Sequence, residues 1–150
     1  MTFTPMEIAL LEAQKSAKQD EVPVGAVIMR GKTIIARAGN LIKHAHDPTG
    51  HAEIRALRIA CQILQSERLP ECDLYVTLEP CAMCAAAISF ARIRRLYYAT
   101  SDPKGGAIEH GPHLYKQPTC HHSPEVYSGF KEREAAQLLK DFFIQKRYQK

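Results

Sequence analysis

The sequence predicts a three-layer α/β/α fold in which a five-stranded mixed sheet carries helices on both faces. Three observations predict it. Residues Val22 to Met29 and Thr33 to Ala38 form two β-rich runs flanking Gly31, the pattern of a hairpin. A strand from Asp73 to Leu78, a small-residue helix from Cys81 to Ala91 and a strand from Arg94 to Ala99 imply a parallel pair with a right-handed crossover. Helical periodicity recurs before, between and after these strands, which supplies both outer layers.

Local chemistry justifies each element in turn. Thr4-Pro5-Met6-Glu7 has the form of a capping box, with a hydroxyl cap, proline at the first helical position and glutamate three after the cap. Met6, Leu10, Ala13 and Ala17 keep helical spacing, so the first helix runs to about Lys18 and breaks at Asp20-Glu21. Asn40 to Gly50 is a polar loop. The second helix runs from about His51 to Gln65 on Ile54, Leu57, Ala60, Cys61 and Leu64. Residues 101–124 are irregular and rich in Gly, Pro and His, and so long a stretch is more often functional than structural. A short fifth strand from Glu125 to Ser128 precedes a terminal helix from about Glu132 to Tyr148. With no repeat, low-complexity tract or linker, a single domain over 1–150 is expected.

Composition bounds the function only loosely. The chain has 45% hydrophobic and 24% charged residues, as a soluble globular protein does. Its apolar runs are far too short to span a bilayer, and its first residues lack the basic-then-apolar pattern of a secretory signal. A cytoplasmic location without a membrane partner is the default expectation. The five cysteines argue against a disulfide framework and for two metal ligands and three buried or incidental thiols. A net charge of +4 permits a polyanionic partner without demanding one. Arg92, Arg94 and Arg95 form one basic cluster, and Lys140, Lys146, Arg147 and Lys150 another; on charge alone both read as solvated faces.

Chemistry concentrates in His51-Ala52-Glu53 and Pro80-Cys81-Ala82-Met83-Cys84, each at an expected helix start. One imidazole and two thiolates make three ligands, the number a catalytic zinc uses when its fourth position stays open for water. Cys81 and Cys84 share one side of a helical turn, and the partial positive charge of a helix N-terminus favours thiolate. Glu53 follows the histidine by two, which is not a same-face spacing. His51 is therefore expected in the first turn, with the pair straddling the helix start. From there the carboxylate can take a proton from zinc-activated water and deliver protons to a substrate. On a purine the steps would be attack at C6, protonation of N1 and loss of ammonia. Other uses stay open: Cys-x-x-Cys alone fits a redox pair. A structural zinc could recruit Cys120, His121 or His122 as a fourth ligand, which leaves Glu53 without a role.

The H-x-E and P-C-x-x-C arrangement resembles the zinc deaminase signature. Longer segments narrow the resemblance: His46-Asp47-Pro48-Thr49-Gly50-His51-Ala52-Glu53, Tyr75-Val76-Thr77-Leu78-Glu79-Pro80-Cys81-Ala82-Met83-Cys84 and Asp102-Pro103-Lys104-Gly105-Gly106-Ala107. With likeness running from Glu21-Val22-Pro23-Val24-Gly25-Ala26 to Asp141-Phe142-Phe143, the chain resembles bacterial tRNA-specific adenosine deaminases over nearly its whole length. The resemblance implies a cytidine deaminase-like fold and one catalytic zinc per subunit on His51, Cys81 and Cys84, with Glu53 as the catalytic proton shuttle. The implied reaction converts the wobble adenosine of a tRNA anticodon loop to inosine. The implied partners are tRNA, with the arginine tRNA bearing an ACG anticodon as the expected substrate, and a second copy of the chain in a homodimer. By position, Asn40 would hydrogen-bond the purine, and Val24 with the Ala52 backbone would line the pocket. Asp102 and Lys104 would lie where flanking nucleotides enter, and Phe142 and Phe143 near the loop-binding surface. The residues by themselves give plainer expectations: Asn40 ends the hairpin, Val24 is also a strand residue, Asp102-Pro103 is turn chemistry, and Phe142 and Phe143 pack in the core. Gly50 stands where the family usually has Ala, and is expected to loosen the helix start.

Two rival functions use the same residues. A zinc deaminase of a free base or nucleoside, such as guanine or cytosine, would share His51, Glu53 and the cysteines; the Asp102–Ala107 segment, Thr77-Leu78-Glu79 and the basic terminal helix favour tRNA. A non-catalytic, zinc-stabilised RNA-binding module would be indifferent to Glu53→Gln.

Overall fold

The computed structural model describes residues 2–148. Thr4 caps α1 (Pro5–Lys18) through the expected box: its Oγ1 accepts the Glu7 N–H at 3.2 Å, and its own N–H donates to Glu7 Oε1 at 3.0 Å. β1 (Gly25–Arg30) and β2 (Thr33–Gly39) form the hairpin. There follow α2 (Ala52–Leu64), β3 (Cys72–Leu78), α3 (Ala82–Phe90) and β4 (Arg95–Thr100). The chain then makes a 3-10 turn at Leu114–Lys116 and ends in β5 (Glu125–Ser128) and α4 (Glu132–Tyr148). The sheet order is β2-β1-β3-β4-β5, antiparallel where β1 meets β2 and β3, and parallel from β3 through β4 to β5. The five-stranded mixed sheet predicted from the sequence is the sheet observed.

Several boundaries shift by one residue, and the start of β1 shifts by three. Val24 is not a strand residue, because β1 begins at Gly25. Pro23 has no N–H to offer a ladder, and the Val24 N–H turns back onto the Val22 carbonyl at 2.9 Å.

Alternation along the strands divides the core. Ala26 and Ile28 of β1, Leu74 and Val76 of β3, and Leu96 and Tyr98 of β4 pack with Ala52, Ala56, Leu57 and Ala60 of α2 and Ile88 of α3. Val27 and Met29 belong to the opposite cluster, with Met6, Ala9 and Leu10 of α1 and Ala135 of α4. The helices that carry the two chemical segments therefore share one face of the sheet. Among the described residues no helix is long and apolar enough to cross a membrane.

Tyr98 is fully buried beneath α2 and α3, and its hydroxyl has no hydrogen-bond partner among the described residues. An orphaned hydroxyl of this kind costs about 1–3 kcal/mol. Tyr98→Phe removes it while keeping the ring, so the variant should gain about 1 kcal/mol, visible as a higher Tm by calorimetry.

Candidate metal centre and active site

His51 is the N-cap of α2, with φ −69° and ψ 151°, and Cys81 is the N-cap of α3, with φ −73° and ψ 176°. Both have the extended backbone of a cap residue. His51, expected in the first turn, stands one position outside it as the cap; Glu53 lies inside, so the pair does straddle the helix start. The His51 Nδ1 is 3.6 Å from Cys81 Sγ and 3.6 Å from Cys84 Sγ. All three donor atoms lie within 4.8 Å of one another. An ion with tetrahedral angles, bonds of about 2.3 Å to sulfur and about 2.0–2.1 Å to nitrogen separates such donors by about 3.6 Å. The spacing and the soft, borderline character of the donors fit zinc.

The rival ligands are elsewhere. Cys120 Sγ donates to the His122 carbonyl at 3.3 Å and lies 3.5 Å from Ser89 Oγ, while His122 Nε2 donates to the Ile93 carbonyl at 2.7 Å. Among the described residues, His51, Cys81 and Cys84 are the only such cluster, which leaves a fourth position without a protein ligand.

Glu53 is 4% exposed beside these donors. Burial, above all, pushes its carboxyl up to about 7; the Cys81 charge adds to this, while its own backbone N–H and His51 oppose it. Cys81 is held down to about 4, first by the hydrogen bond from Cys84 and then by His51, against its burial. Cys84 is driven well above the usual thiol range by the same bond and by burial. A carboxyl poised near neutrality can both accept and release a proton.

Asn40, Val24 and Ala52 meet in one bonded set. Asn40 Oδ1 accepts the Ala52 N–H at 2.8 Å, its N–H donates to the Val24 carbonyl at 3.0 Å, and its carbonyl accepts from Ser16 Oγ at 2.9 Å. Asn40 therefore does more than end the hairpin: its side chain satisfies a free N–H at the start of α2. Gly50 is not a loose point either. Its N–H donates to the Asp47 carbonyl at 3.0 Å, its carbonyl accepts the Leu41 N–H at 2.9 Å, and a Cβ there would overlap the Leu41 carbonyl oxygen. The glycine lets the Asn40 loop close on the ligand-bearing helix start.

Sequence reasoning missed two buried carboxylates and a tyrosine. Glu21, read as part of the helix break, is 2% exposed. It accepts the N–H groups of Ile42, Lys43 and His44 at 3.1, 3.2 and 2.9 Å, and lies 2.8 Å from the His44 ring Nδ1. Burial opposes its ionisation, but these bonds outweigh burial and hold the carboxyl down to about 2. Glu79, buried two residues before Cys81, gathers the 102–110 loop in the same way. Tyr115 donates its hydroxyl to the Ala85 carbonyl at 2.9 Å, and burial, with charge from Cys120, Cys84 and Glu53, raises its pKa far above the ordinary value. The only sequence cue was an acidic residue at the end of an apolar run, as at Leu78-Glu79.

Asp102, Lys104 and Phe143 line one cleft of about 760 Å³ together with Val22, Lys146 and Arg147. The expectation of core packing fails for the phenylalanines. Phe143 is 49% exposed, and Phe142 is half-buried, edge-on to Phe143 at 5.4 Å with Lys146 Nζ 5.8 Å from its ring. The reason is that α4 buries only Ala135 among its described residues. The arginine cluster is spent within the chain: Arg94 grips Asp73 at 3.0 and 2.8 Å, Arg95 pairs with Glu125 at 3.0 Å, and Arg92 donates to the Ser89 carbonyl. Lys146 pairs with Asp20, and Lys150 lies outside the described residues.

The class that fold and site define is the deaminases, and a family model described as a MafB19-like deaminase matches residues 2–147. The tRNA-specific adenosine deaminase of Agrobacterium fabrum is 59% identical over 142 residues, 95% of this chain and 93% of that protein. A solved structure from work on A-to-I editing by tRNA:A34 deaminases at the wobble position has a TM-score of 0.89 and 59% identity. That match covers 90% of this chain and 98% of the other. A guanine deaminase from Bacillus subtilis is more distant, with a TM-score of 0.65 and 30% identity over 98% of this chain and 95% of its own. The chain belongs to the family of tRNA-specific adenosine deaminases.

The Glu21 carboxylate carries a pH signature. Its folded pKa of about 2 lies below the ordinary 4.5, so its contribution is complete above pH 4.5 and drains away as the pH falls toward 2. Denaturant titrations of wild type and Glu21→Gln should therefore show a stability gap near neutrality that closes on acidification.

Proposed function

We propose that this chain, acting as a single deaminase domain, hydrolyses the wobble adenosine of a tRNA anticodon loop to inosine, with one zinc ion per subunit. The observation that carries the reading is the convergence of His51, Cys81 and Cys84 with the buried Glu53 beside them. Bound zinc would supply the Lewis acidity that makes water nucleophilic near neutral pH. Glu53 would take the proton released as water adds to C6, pass protons to N1 and the departing amine, and so let ammonia leave. Asn40, fixed by its bond to Ala52, would hold the purine, and Val24 would wall the pocket.

The cleft bounded by Asp102, Lys104, Phe143, Lys146 and Arg147 supports a strand entering it, with Lys104 and Arg147 as cations for phosphates, Lys146 being paired with Asp20, and an exposed ring for a base. Anticodon bases are already unpaired, so presenting one of them costs less than opening a duplex. The arginine tRNA with an ACG anticodon is the proposed substrate, and the cytoplasm the proposed location. Ile59, Ile63 and Phe90, exposed on α2 and α3, support a face covered by a second copy in a homodimer.

The test is inosine formation in an anticodon stem-loop with an ACG triplet, run beside free adenosine, cytidine and guanine. Wild type should edit the stem-loop alone, and Glu53→Gln should keep its metal and fold while losing about 10²-fold or more in turnover. Free guanine used as readily as the stem-loop would overturn the substrate. Cys84→Ala, by contrast, should lose the ion itself, with zinc by elemental analysis falling from one per chain toward none.

A further inference from the structure

Glu79 occupies an unusual place: it directly follows β3, stands two residues before the candidate ligand Cys81, and has a side chain with no solvent exposure. Its Oε1 accepts the Asp102 N–H at 3.0 Å and lies 2.8 Å from the His110 ring Nδ1. Its Oε2 accepts the N–H groups of Ile108, Glu109 and His110 at 3.1, 2.9 and 3.2 Å. Gly106 makes room for it, since a Cβ there would overlap the carboxyl carbon. Neighbouring bonds run in parallel: the Glu79 N–H donates to the Thr100 carbonyl and the Ala107 N–H to the Pro80 carbonyl, each at 2.9 Å.

Every partner of the carboxylate thus comes from the 102–110 loop, while its backbone belongs to the turn that presents Cys81. Asp102 and Lys104, at the head of that loop, line the cleft. The Asp102 carboxylate is consumed in holding the loop's own turn, where its Oδ1 accepts the N–H groups of Lys104 and Gly105 at 3.2 and 3.0 Å.

We propose that Glu79 is a positioning residue that sets the register between the Cys81 turn and the 102–110 loop, and so places the cleft that receives nucleotides flanking the reacting base. This rests on the proposed RNA substrate. A glutamine has the same shape but a single accepting oxygen. Whichever way its amide faces, either the Asp102 N–H or the N–H groups of Ile108, Glu109 and His110 lose their acceptor and meet an NH₂ group instead. The lost bonds go to the loop and not to Cys81, Cys84 or Glu53, so substrate capture should suffer and the chemical step should not.

Three measurements on the zinc-loaded protein decide it: zinc content, kcat and KM on the anticodon stem-loop, and amide hydrogen exchange of residues 101–113. In Glu79→Gln the zinc content should match wild type, kcat should stay within about twofold, and KM should rise about tenfold or more. The amides of Asp102, Ile108, Glu109 and His110 should exchange at least about tenfold faster. Unchanged exchange, or a fall in kcat at constant KM, would overturn the proposal. If Glu79→Gln does not fold, His110→Ala removes only the ring contact, and a smaller rise in KM with faster exchange at 108–110 is expected; no change in either would be fatal. A wild-type protein that leaves the stem-loop unedited defeats the substrate reading instead, and the exchange comparison still decides whether Glu79 holds the loop.

Discussion

The starts of α2 and α3 lie against each other beyond the carboxyl end of β3, close enough for His51 Nδ1 to stand 3.6 Å from both cysteine sulfurs. The rest of the molecule is arranged around that apposition. It requires both helices on one face of the sheet, and residues of α2 and of α3, the crossover helix between parallel β3 and β4, do pack in one core cluster. It also requires extended backbone at both cap positions, so that His51 and Cys81 project from helix starts where anionic ligands are favoured. The small residues of α3 and Ala52, Ala56 and Ala60 of α2 let the helices sit close to the strands.

Two buried carboxylates then hold what surrounds the site. Glu21 gathers the loop that leads from Asn40 toward His51, and Glu79 gathers the loop that carries Asp102 and Lys104. Each uses several backbone N–H groups and one histidine ring, an arrangement in which many donors outweigh the cost of burying a charge. Irregular loops lack ladders of their own, so a shared buried acceptor is an economical way to give them one conformation. Glu53 is the contrast. It too is buried, but without a comparable set of donors, and its carboxyl is pushed toward neutrality rather than away from it. Burial is common to all three; what differs is the number of N–H groups that face them.

The surface has an equally plain logic. Arginines that look like a basic patch in the sequence are tied to Asp73, Glu125 and a backbone carbonyl. Lys104 and Arg147, far apart in sequence, line one cleft with the exposed ring of Phe143, while Lys146 in the same lining is itself paired with Asp20. Charge in sequence and charge available to a partner are different quantities, since ion pairing within the chain removes the first from the second.

The sequence by itself determined the elements, their order and the donor atoms. The capping box at Thr4, the two β-rich runs about Gly31 and the short strand-helix-strand run are local patterns, and local patterns are written in neighbouring residues. His51, Glu53, Cys81 and Cys84 were legible for the same reason, each pair lying within four consecutive residues at a helix start. Only the tertiary structure decided which distant groups share a bond. Glu79 meets partners 23 to 31 residues away and Glu21 partners 21 to 23 away, with no periodicity to announce either. Likewise Phe142 and Phe143 look like core residues in sequence, yet lie half-buried and exposed because α4 presents little more than Ala135 to the sheet. Burial is a property of what packs opposite, and no residue carries that information in its own neighbourhood.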